Sequence, residues 1–229
     1  RLRRGTMALV KHNDCSFLLD TRNSLDMKLM GGMNWEHELR DRAVAEIKSQ
    51  KLDLFIDAGA NLGLYTIDLN RRCDGLRETV AFEPVPSNYN QLCGNIFMNM
   101  MSDRVTAMRT ALSDTDGTAV LHVDSRFTIH STFESNVGPA GKFDKSINVP
   151  LMKFDAHHDF EGRRVFMKMD VEGHEEAALL GMAGFLTRNK ASLQIESGVT
   201  QFKTVGKFLT GLGYRYNGHH SNDHFLDNF

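Results

Sequence analysis

Four short apolar runs in this chain end on a carboxylate. They are Leu52–Asp57, Thr79–Glu83, Arg164–Asp170 and Ala191–Glu196. Runs of this length, bounded by turn residues, read as buried strands. Residues at helical spacing follow them, over Leu64–Leu69, Ser87–Met100, Glu175–Leu186 and Thr200–Leu212. A further strand, Arg104–Thr110, closes the first half. Strand and helix in alternation predict an α/β fold with a doubly wound, mostly parallel sheet. Ligands of such sheets bind beyond the carboxyl ends of the strands. Four acids at those ends exceed what packing calls for, because an unpartnered buried charge is costly. Asp57, Glu83, Asp170 and Glu196 are therefore expected to face a ligand.

The flanks read differently. Ala8–Val10 and Phe17–Leu19 form a hairpin around a turn at Asn13-Asp14. Leu39, Ala43, Val44 and Ile47 recur at helical intervals, so an amphipathic helix runs from Trp35 to about Ser49. Between the two halves of the sheet lies a β-rich insertion, with a turn at Asp114–Gly117 and strands at Thr118–Val123 and Ile147–Met152. The stretch between those strands has no periodicity, and a loop that long is usually functional. Tyr214–Phe229 reads as a terminal hairpin turning at Asn217-Gly218. No linker divides the chain. It is expected to form one domain, with a cap over residues 1–50, a core over 51–217 and a tail over 218–229.

Composition narrows the function classes. The 229 residues carry 27 basic and 29 acidic side chains, a net charge of −2, with 41% hydrophobic content. That supports a core and argues against disorder. It also argues against a nucleic-acid partner, which calls for a basic surface. Cys15, Cys73 and Cys93 form no CxxC pair, so free thiols in a reducing compartment, the cytoplasm, are expected. No apolar run approaches the roughly 20 residues of a membrane helix. Arg1-Leu-Arg-Arg4 is basic but has no signal-type apolar stretch after it. The first residue is not Met, which fits a piece of a longer protein. The oligomeric state is not legible.

The turn after the first strand carries Gly59, Asn61 and Gly63. Its GxNxG spacing departs from the GxGxxG dinucleotide fingerprint. Such a turn can also serve merely to connect strand and helix. Glu83, ending the second strand, is placed to accept both hydroxyls of a ribose. Nicotinamide cofactors and S-adenosylmethionine share that ribose.

Phe55-Ile-Asp-Ala-Gly-Ala-Asn-Leu-Gly-Leu-Tyr-Thr66, Ala81-Phe-Glu-Pro-Val-Pro86 and Lys168-Met-Asp-Val-Glu-Gly-His-Glu175 resemble the FkbM family of S-adenosylmethionine-dependent methyltransferases. Gly32–Glu36 and Leu193–Ser197 extend the resemblance, which runs roughly from Asp26 to Tyr216. It implies a class I, Rossmann-like methyltransferase fold and O-methylation of a sugar or secondary metabolite. It also implies that Glu36, Asp57, Gly59, Asn61 and Gly63 form the methionine end of a cofactor site. Glu83 resembles the ribose ligand, with Pro84 and Ser87 beside it. Ala111, Leu112 and Ser113 match an adenine-lining stretch, and Asp170 and Glu172 match acids near the methyl group. His130 and Ser131 match a loop near the acceptor.

Methyl transfer to a hydroxyl requires that a proton leave the acceptor. Asp170, Glu172, His174 and Glu196 are the candidate bases. Asp170 and Glu172, two apart in an extended strand end, are expected to share a face. Close carboxylates can also hold Mg²⁺ or Mn²⁺, with Asp170 and Glu196 as ligands. Plainer readings compete. Glu172, Glu175 and Glu176 suit the first turn of a helix, where the macrodipole favours negative charge. His174 fits a helix surface. His157-His158 and His219, His220 and His224 fit solvated loops, and Trp35 a packing anchor. Two other functions stand beside the methyltransferase. One is an NAD(P)-dependent oxidoreductase, disfavoured by GxNxG and by the lack of a Tyr-x-x-x-Lys pair. The other is a non-catalytic interaction module on the same fold.

Overall fold

Leu54, Phe55, Ile56, Val165 and Ala191 are fully buried, as expected of strands covered on both faces. The computed structural model describes residues 6–12, 14–124, 131–133 and 143–229. Its elements in chain order are β1 (Met7–His12), β2 (Cys15–Asp20), α1 (Ser24–Met30), α2 (His37–Gln50), β3 (Leu54–Ala58), α3 (Leu64–Arg72), β4 (Glu78–Phe82), α4 (Pro86–Met98) and β5 (Val105–Met108). Then follow β6 (Ala111–Ser113), β7 (Gly117–Val123), β8 (Ser131–Thr132), β9 (Lys145–Lys153), α5 (Phe154–His157), β10 (Arg164–Met169), α6 (Glu175–Leu180) and α7 (Ala183–Arg188). The chain ends with β11 (Lys190–Glu196), α8 (Val199–Gly211), β12 (Arg215–His220) and β13 (Asp223–Asp227).

The main sheet has the order β12-β13-β11-β10-β3-β4-β5. Its five strands from β11 to β5 are parallel, and β13 and β12 close one edge antiparallel. This is the doubly wound α/β sheet expected. The chain leaves β3 toward β5 on one side and β10 toward β12 on the other. The strand order therefore reverses between β3 and β10, where a ligand crevice opens. Ile56, Met167 and Leu193 pack with Phe185 and Leu209 on one face. Phe55 and Phe166 pack with α2 and α3 on the other. Burying each such side chain contributes about 1.5–3 kcal/mol.

The N-terminal hairpin forms as expected, with Ala8 opposite Leu19. Asp14 turns it at φ 60°; Asn13 lies outside the described residues. Gln91, Asn95 and Asn99 recur every fourth residue along one stripe of α4. Their amides satisfy the free edge of β2: Leu18 N–H donates to Asn95 Oδ1 (2.6 Å), Ser16 N–H to Asn99 Oδ1 (3.0 Å), and Gln91 Nε2 to Leu18 O (2.7 Å). Side chains here do the work of a further strand. The insertion forms a second sheet, β6-β9-β7-β8.

Several expectations are corrected. The strand expected over Arg104–Thr110 stops at Met108, and Ala111–Ser113 joins the second sheet. The short helices α1 and α5 were not foreseen. Asn23 starts α1, its side chain accepting from Leu25 N–H at 3.0 Å. The helix expected over Glu175–Leu186 breaks at Gly181-Met182. Asp155 causes the break: its N–H donates to Gly181 O (3.0 Å), and its carboxylate accepts from Gly184 and Phe185 N–H, both at 2.7 Å. The terminal hairpin turns at Ser221-Asn222, with Ser221 at φ 54°, while Asn217-Gly218 sits at a bulge inside β12. Residues 223–227 run beside β11 within the main sheet. His224 is accordingly buried and stacked on Phe202, at 3.5 Å between ring centroids, rather than solvated. His158 packs against Phe154 and Phe160, so it too departs from a solvated reading.

The α6–α7 break rests on a close backbone approach. A Cβ on Gly181 would lie 1.8 Å from Ser113 O. Gly181→Ala is expected to destabilise the protein by about 2 kcal/mol, the scale of overpacking a filled core. Gly211→Ala, which meets nothing within 4 Å, is expected to stay within about 0.5 kcal/mol of wild type. Urea unfolding of both variants checks this pair.

Candidate active site

The ends of β3, β4 and β10 are stitched together by backbone. Gly59 and Ala60 N–H both donate to Phe82 O at 2.9 Å, and Asp170 N–H donates to Ala58 O at 2.9 Å. Gly59 stands at φ +84°, and a Cβ on it would lie 1.8 Å from Asp170 O. Only glycine lets the two loops touch there. Asn61, at φ 52°, donates its N–H to Glu83 Oε2, and Val85 N–H donates to Glu83 Oε1, both at 2.8 Å. Glu83 thus ties the first loop to the second strand. Its own burial, with the nearby charges of Asp170 and Asp57, pushes its carboxyl up to about 7.

A cavity of about 430 Å³ opens above these loops. Glu36, Asp57, Glu83, Asp170, Glu196 and Lys168 contribute polar walls, and Trp35, Leu62, Leu112, Leu121 and Phe133 apolar ones. Its size and mixed lining are those of a small-molecule site. Beneath it runs a buried polar row. Asp57, Lys168 and Gln194 are lateral neighbours on β3, β10 and β11. Asp57 accepts from Thr66 Oγ1 at 2.5 Å, and burial raises its carboxyl to about 6. Gln194 donates to Tyr65 Oη (3.0 Å) and Asp223 Oδ1 (2.7 Å).

Lys168 Nζ lies 3.3 Å from Asp170 Oδ2 and 3.6 Å from Glu196 Oε2, and 5.4 Å from the centre of the Tyr65 ring. Among the described residues its Nζ has no hydrogen-bond partner. Burial disfavours its charge, but the surrounding carboxylates outweigh that and hold the ammonium well above its ordinary range. Glu196 is pushed up to about 8, first by burial and then by the charge of Asp170.

Trp35 and Glu36 reach the cavity because Arg40 holds their loop. Arg40 is buried, pairs with Asp68 at 2.8 Å, and donates to Trp35 O (3.0 Å) and Asn34 Oδ1 (2.6 Å). Removing one partner of such a buried pair costs about 3–5 kcal/mol. Glu36 sits at φ 50°, accepts from Trp35 Nε1 at 2.7 Å, and is raised by burial.

Twelve of the expected site residues line this one cavity: Glu36, Asp57, Gly59, Asn61, Glu83, Pro84, Ala111, Leu112, Asp170, Glu172, His174 and Glu196. Three others stand apart from it. Gly63 starts α3 at φ +91° behind the loop, Ser87 Oγ faces Asn88 Oδ1 at 3.4 Å, and Ser113 is buried with its hydroxyl 3.0 Å from His174 Nε2. His130 lies outside the described residues; Ser131 pairs with Val123 in the second sheet. Glu172 does not share an extended face with Asp170, because β10 ends at Met169 and Glu172 turns at φ 53°. His174 is half-buried against Phe133 (4.4 Å) rather than on a helix surface, and burial lowers its imidazole toward the neutral form. Glu175, in contrast, caps its own turn by accepting from Gly173 N–H at 2.9 Å.

Asp170 and Glu196 do not fit a divalent cation, because the Lys168 ammonium already stands against both. Among the described residues, no group of three His, Cys, Asp or Glu side chains could hold a metal ion. Sequence reasoning missed Lys168, Tyr65 and Lys28, which also line the cavity. Lys168 was signalled by its place, a charge inside an otherwise apolar strand. Among the described residues, no helix is long and apolar enough to cross a membrane.

Comparison with known proteins agrees with this architecture. The methyltransferase FkbM domain model matches residues 57–216. Methyltransferase sdnD of Sordaria araneosa is 36% identical over 66 residues, covering 29% of this chain and 25% of that protein. The crystal structure of an FkbM methyltransferase from Methylobacillus flagellatus superposes with a TM-score of 0.53 at 16% identity, over 77% of this chain and 43% of that one. At such identity the likeness is one of fold. The chain spans a quarter of the first relative's length and under half of the second's.

Glu83 has a stability consequence. An unfolded glutamate titrates near 4.5, whereas folded Glu83 holds its proton up to about 7. Folding therefore takes up a proton between those values, and stability falls as pH rises from about 4.5 through 7. Glu83→Gln is expected to flatten that slope, with the remainder carried by Asp57 and Glu196. Denaturant unfolding of both proteins at several pH values measures it.

Proposed function

The chain belongs to the FkbM methyltransferase family, and on that premise we propose that it is an S-adenosylmethionine-dependent O-methyltransferase acting on a hydroxyl of a sugar or secondary metabolite. The observation that carries this reading is the convergence of four strand-end acids on one cavity at the point where strand order reverses. The cavity's residues fit the cofactor. A surplus of carboxylates suits a cation, and the glycine turn, packed on the Asp170 backbone, sets Ala60 and Asn61 against the cavity. Glu36, Asp57 and the turn from Gly59 to Asn61 would hold the methionine end, Glu83 the ribose hydroxyls, and Ala111 and Leu112 the adenine. When bound, S-adenosylmethionine supplies a methyl group on a positively charged sulfur, which keeps the electron pair of the broken bond.

The chain's own residues do the rest. Lys168 holds the Asp170 and Glu196 carboxylates in place, so the acceptor meets oriented oxygens rather than swinging side chains. One of these two carboxylates takes the hydroxyl proton. His174 stays neutral, with Nε2 engaged by the Ser113 hydroxyl. Trp35, Leu121 and Phe133 exclude water from the apolar side. We place the reaction in a reducing compartment such as the cytoplasm, since Cys15, Cys73 and Cys93 are free thiols.

Calorimetry with S-adenosylmethionine tests the cofactor. Glu83→Ala is expected to weaken binding by about 1–3 kcal/mol, the scale of hydrogen bonds to a charged group. Unchanged affinity removes Glu83 from the ribose role. Methyl-labelled cofactor offered with a panel of sugars and hydroxylated metabolites tests the acceptor class. Asp170→Asn, which removes the charge that holds Lys168 beside Glu196, is expected to lower turnover about 10²-fold or more while cofactor affinity changes little. A label found on nitrogen or carbon instead of oxygen rejects the hydroxyl reading.

A further inference from the structure

The floor of the cavity holds more acid than the Lys168 ammonium can balance. Glu36 before α2, Asp57 on β3, Asp170 after β10, Glu196 on β11 and Asp223 on β13 all act on the single ammonium of Lys168. Fully ionised, five carboxylates and one ammonium leave an excess of four negative charges. Such a cluster keeps protons until another cation arrives. A second feature points to a ligand here. Lys168 Nζ is buried, lines the cavity and has no hydrogen-bond partner among the described residues.

The carboxylates are not equivalent. Asp57 accepts a hydrogen bond from Thr66, Glu36 from Trp35 and Asp223 from Gln194. Asp170 is the nearer neighbour of the ammonium, at 3.3 Å against 3.6 Å for Glu196. Among the described residues, the Glu196 carboxylate accepts no hydrogen bond and has only the longer ion pair. It is the least supported as an anion.

We propose that the cationic cofactor expels a proton from Glu196 as it binds, and that the carboxylate so bared is the group that receives the acceptor's hydroxyl proton. This rests on the S-adenosylmethionine reading above. The groups facing Glu196 are Lys168 and Asp170 at β10, Asp223 at β13 and Glu36 at the start of α2. His224 lies beside Asp223 and is kept neutral by burial, and Tyr65 of α3 covers Lys168. Before binding, burial and the charge of Asp170 push the Glu196 carboxyl up to about 8, which favours its protonated form. A positive charge nearby favours the ionised form and brings the carboxyl down. Cofactor binding therefore releases a proton and tightens as pH rises toward 8. The base becomes available only once the methyl donor is in place. S-adenosylhomocysteine, whose sulfur is neutral, lacks the charge that drives this release.

Isothermal titration calorimetry on the full chain at about pH 7, in phosphate and in Tris, counts the protons exchanged. For S-adenosylmethionine, the two buffers are expected to give enthalpies that differ by about one released proton per site. For S-adenosylhomocysteine the release is expected to be distinctly smaller, limited to what Glu83 gives up at the ribose that both ligands share. Glu196→Gln is expected to bind S-adenosylmethionine with its release lowered to the S-adenosylhomocysteine level. Equal proton release with both ligands overturns the proposal on wild type alone, whether or not the variant folds. A variant that retains the wild-type release also overturns it. If wild type fails to bind S-adenosylmethionine at all, the cofactor reading falls and takes this proposal with it. Binding without proton release sinks this proposal and leaves that reading standing.

Discussion

Gly59 and Asp170 meet backbone to backbone, and the candidate site is built outward from that contact. It occurs where two neighbouring parallel strands send their chains in opposite directions. Loops at such a point normally diverge and leave a crevice. Here the missing side chain at Gly59 draws the crevice shut at its base. The backbone bonds from Gly59, Ala60 and Asp170 then hold three strand ends at one level. Glu83 extends the same construction by accepting two loop N–H groups with its two oxygens. The turn is thus held by a carboxylate that also faces the cavity, so support and recognition share one side chain.

The polar row under the cavity runs against ordinary core chemistry. Charged groups in a strand interior are unfavourable unless paired and hydrogen-bonded. Asp57 meets that requirement through Thr66, and Gln194 meets it with its amide N–H groups, bonded to Tyr65 and Asp223, while its Oε1 has no partner among the described residues. Lys168 meets it only in part, by ion pairs without a hydrogen bond. The concession sits at the sheet's carboxyl edge, where binding takes place, while apolar side chains fill the rest of both faces. Arg40 and Asp68 show the opposite treatment, a close ion pair in which the guanidinium's Nε and Nη2 also bond the Asn34–Trp35 loop.

Much of this was legible in residue order. The strand-end acids and the glycine turn are local signals, and Asp57, Glu83, Asp170 and Glu196 do come together as alternation of strand and helix implies. What escaped depends on contacts between distant segments. Gly181 is a local signal that a helix can end, but the contacts that make it end there come from Ser113 and from Asp155, 26 residues earlier in the chain (181 − 155). Asn217-Gly218 has the chemistry of a turn, yet pairing with β13 places it in a bulge. Glu172 lost its expected place beside Asp170 to a left-handed turn that the next glycine continues at φ 99°. Lys168 was visible as a charge, but its role follows from Asp170 and Glu196, one on its own loop and one on the next strand.

The amide stripe on α4 bears on how such a protein can diversify. The hairpin's polar attachment to α4 runs through the side chains of Gln91, Asn95 and Asn99, beside the apolar packing of Phe17 and Leu19, and Gln91 also holds α1 through Asp26 at 2.6 Å. From α1, Leu25 and Lys28 reach the cavity. The roof of the pocket is therefore joined to the sheet through a few interchangeable attachment points rather than woven into its strand order. Another hairpin can hang from the same amides and alter what enters from above, while the strand ends below keep their arrangement.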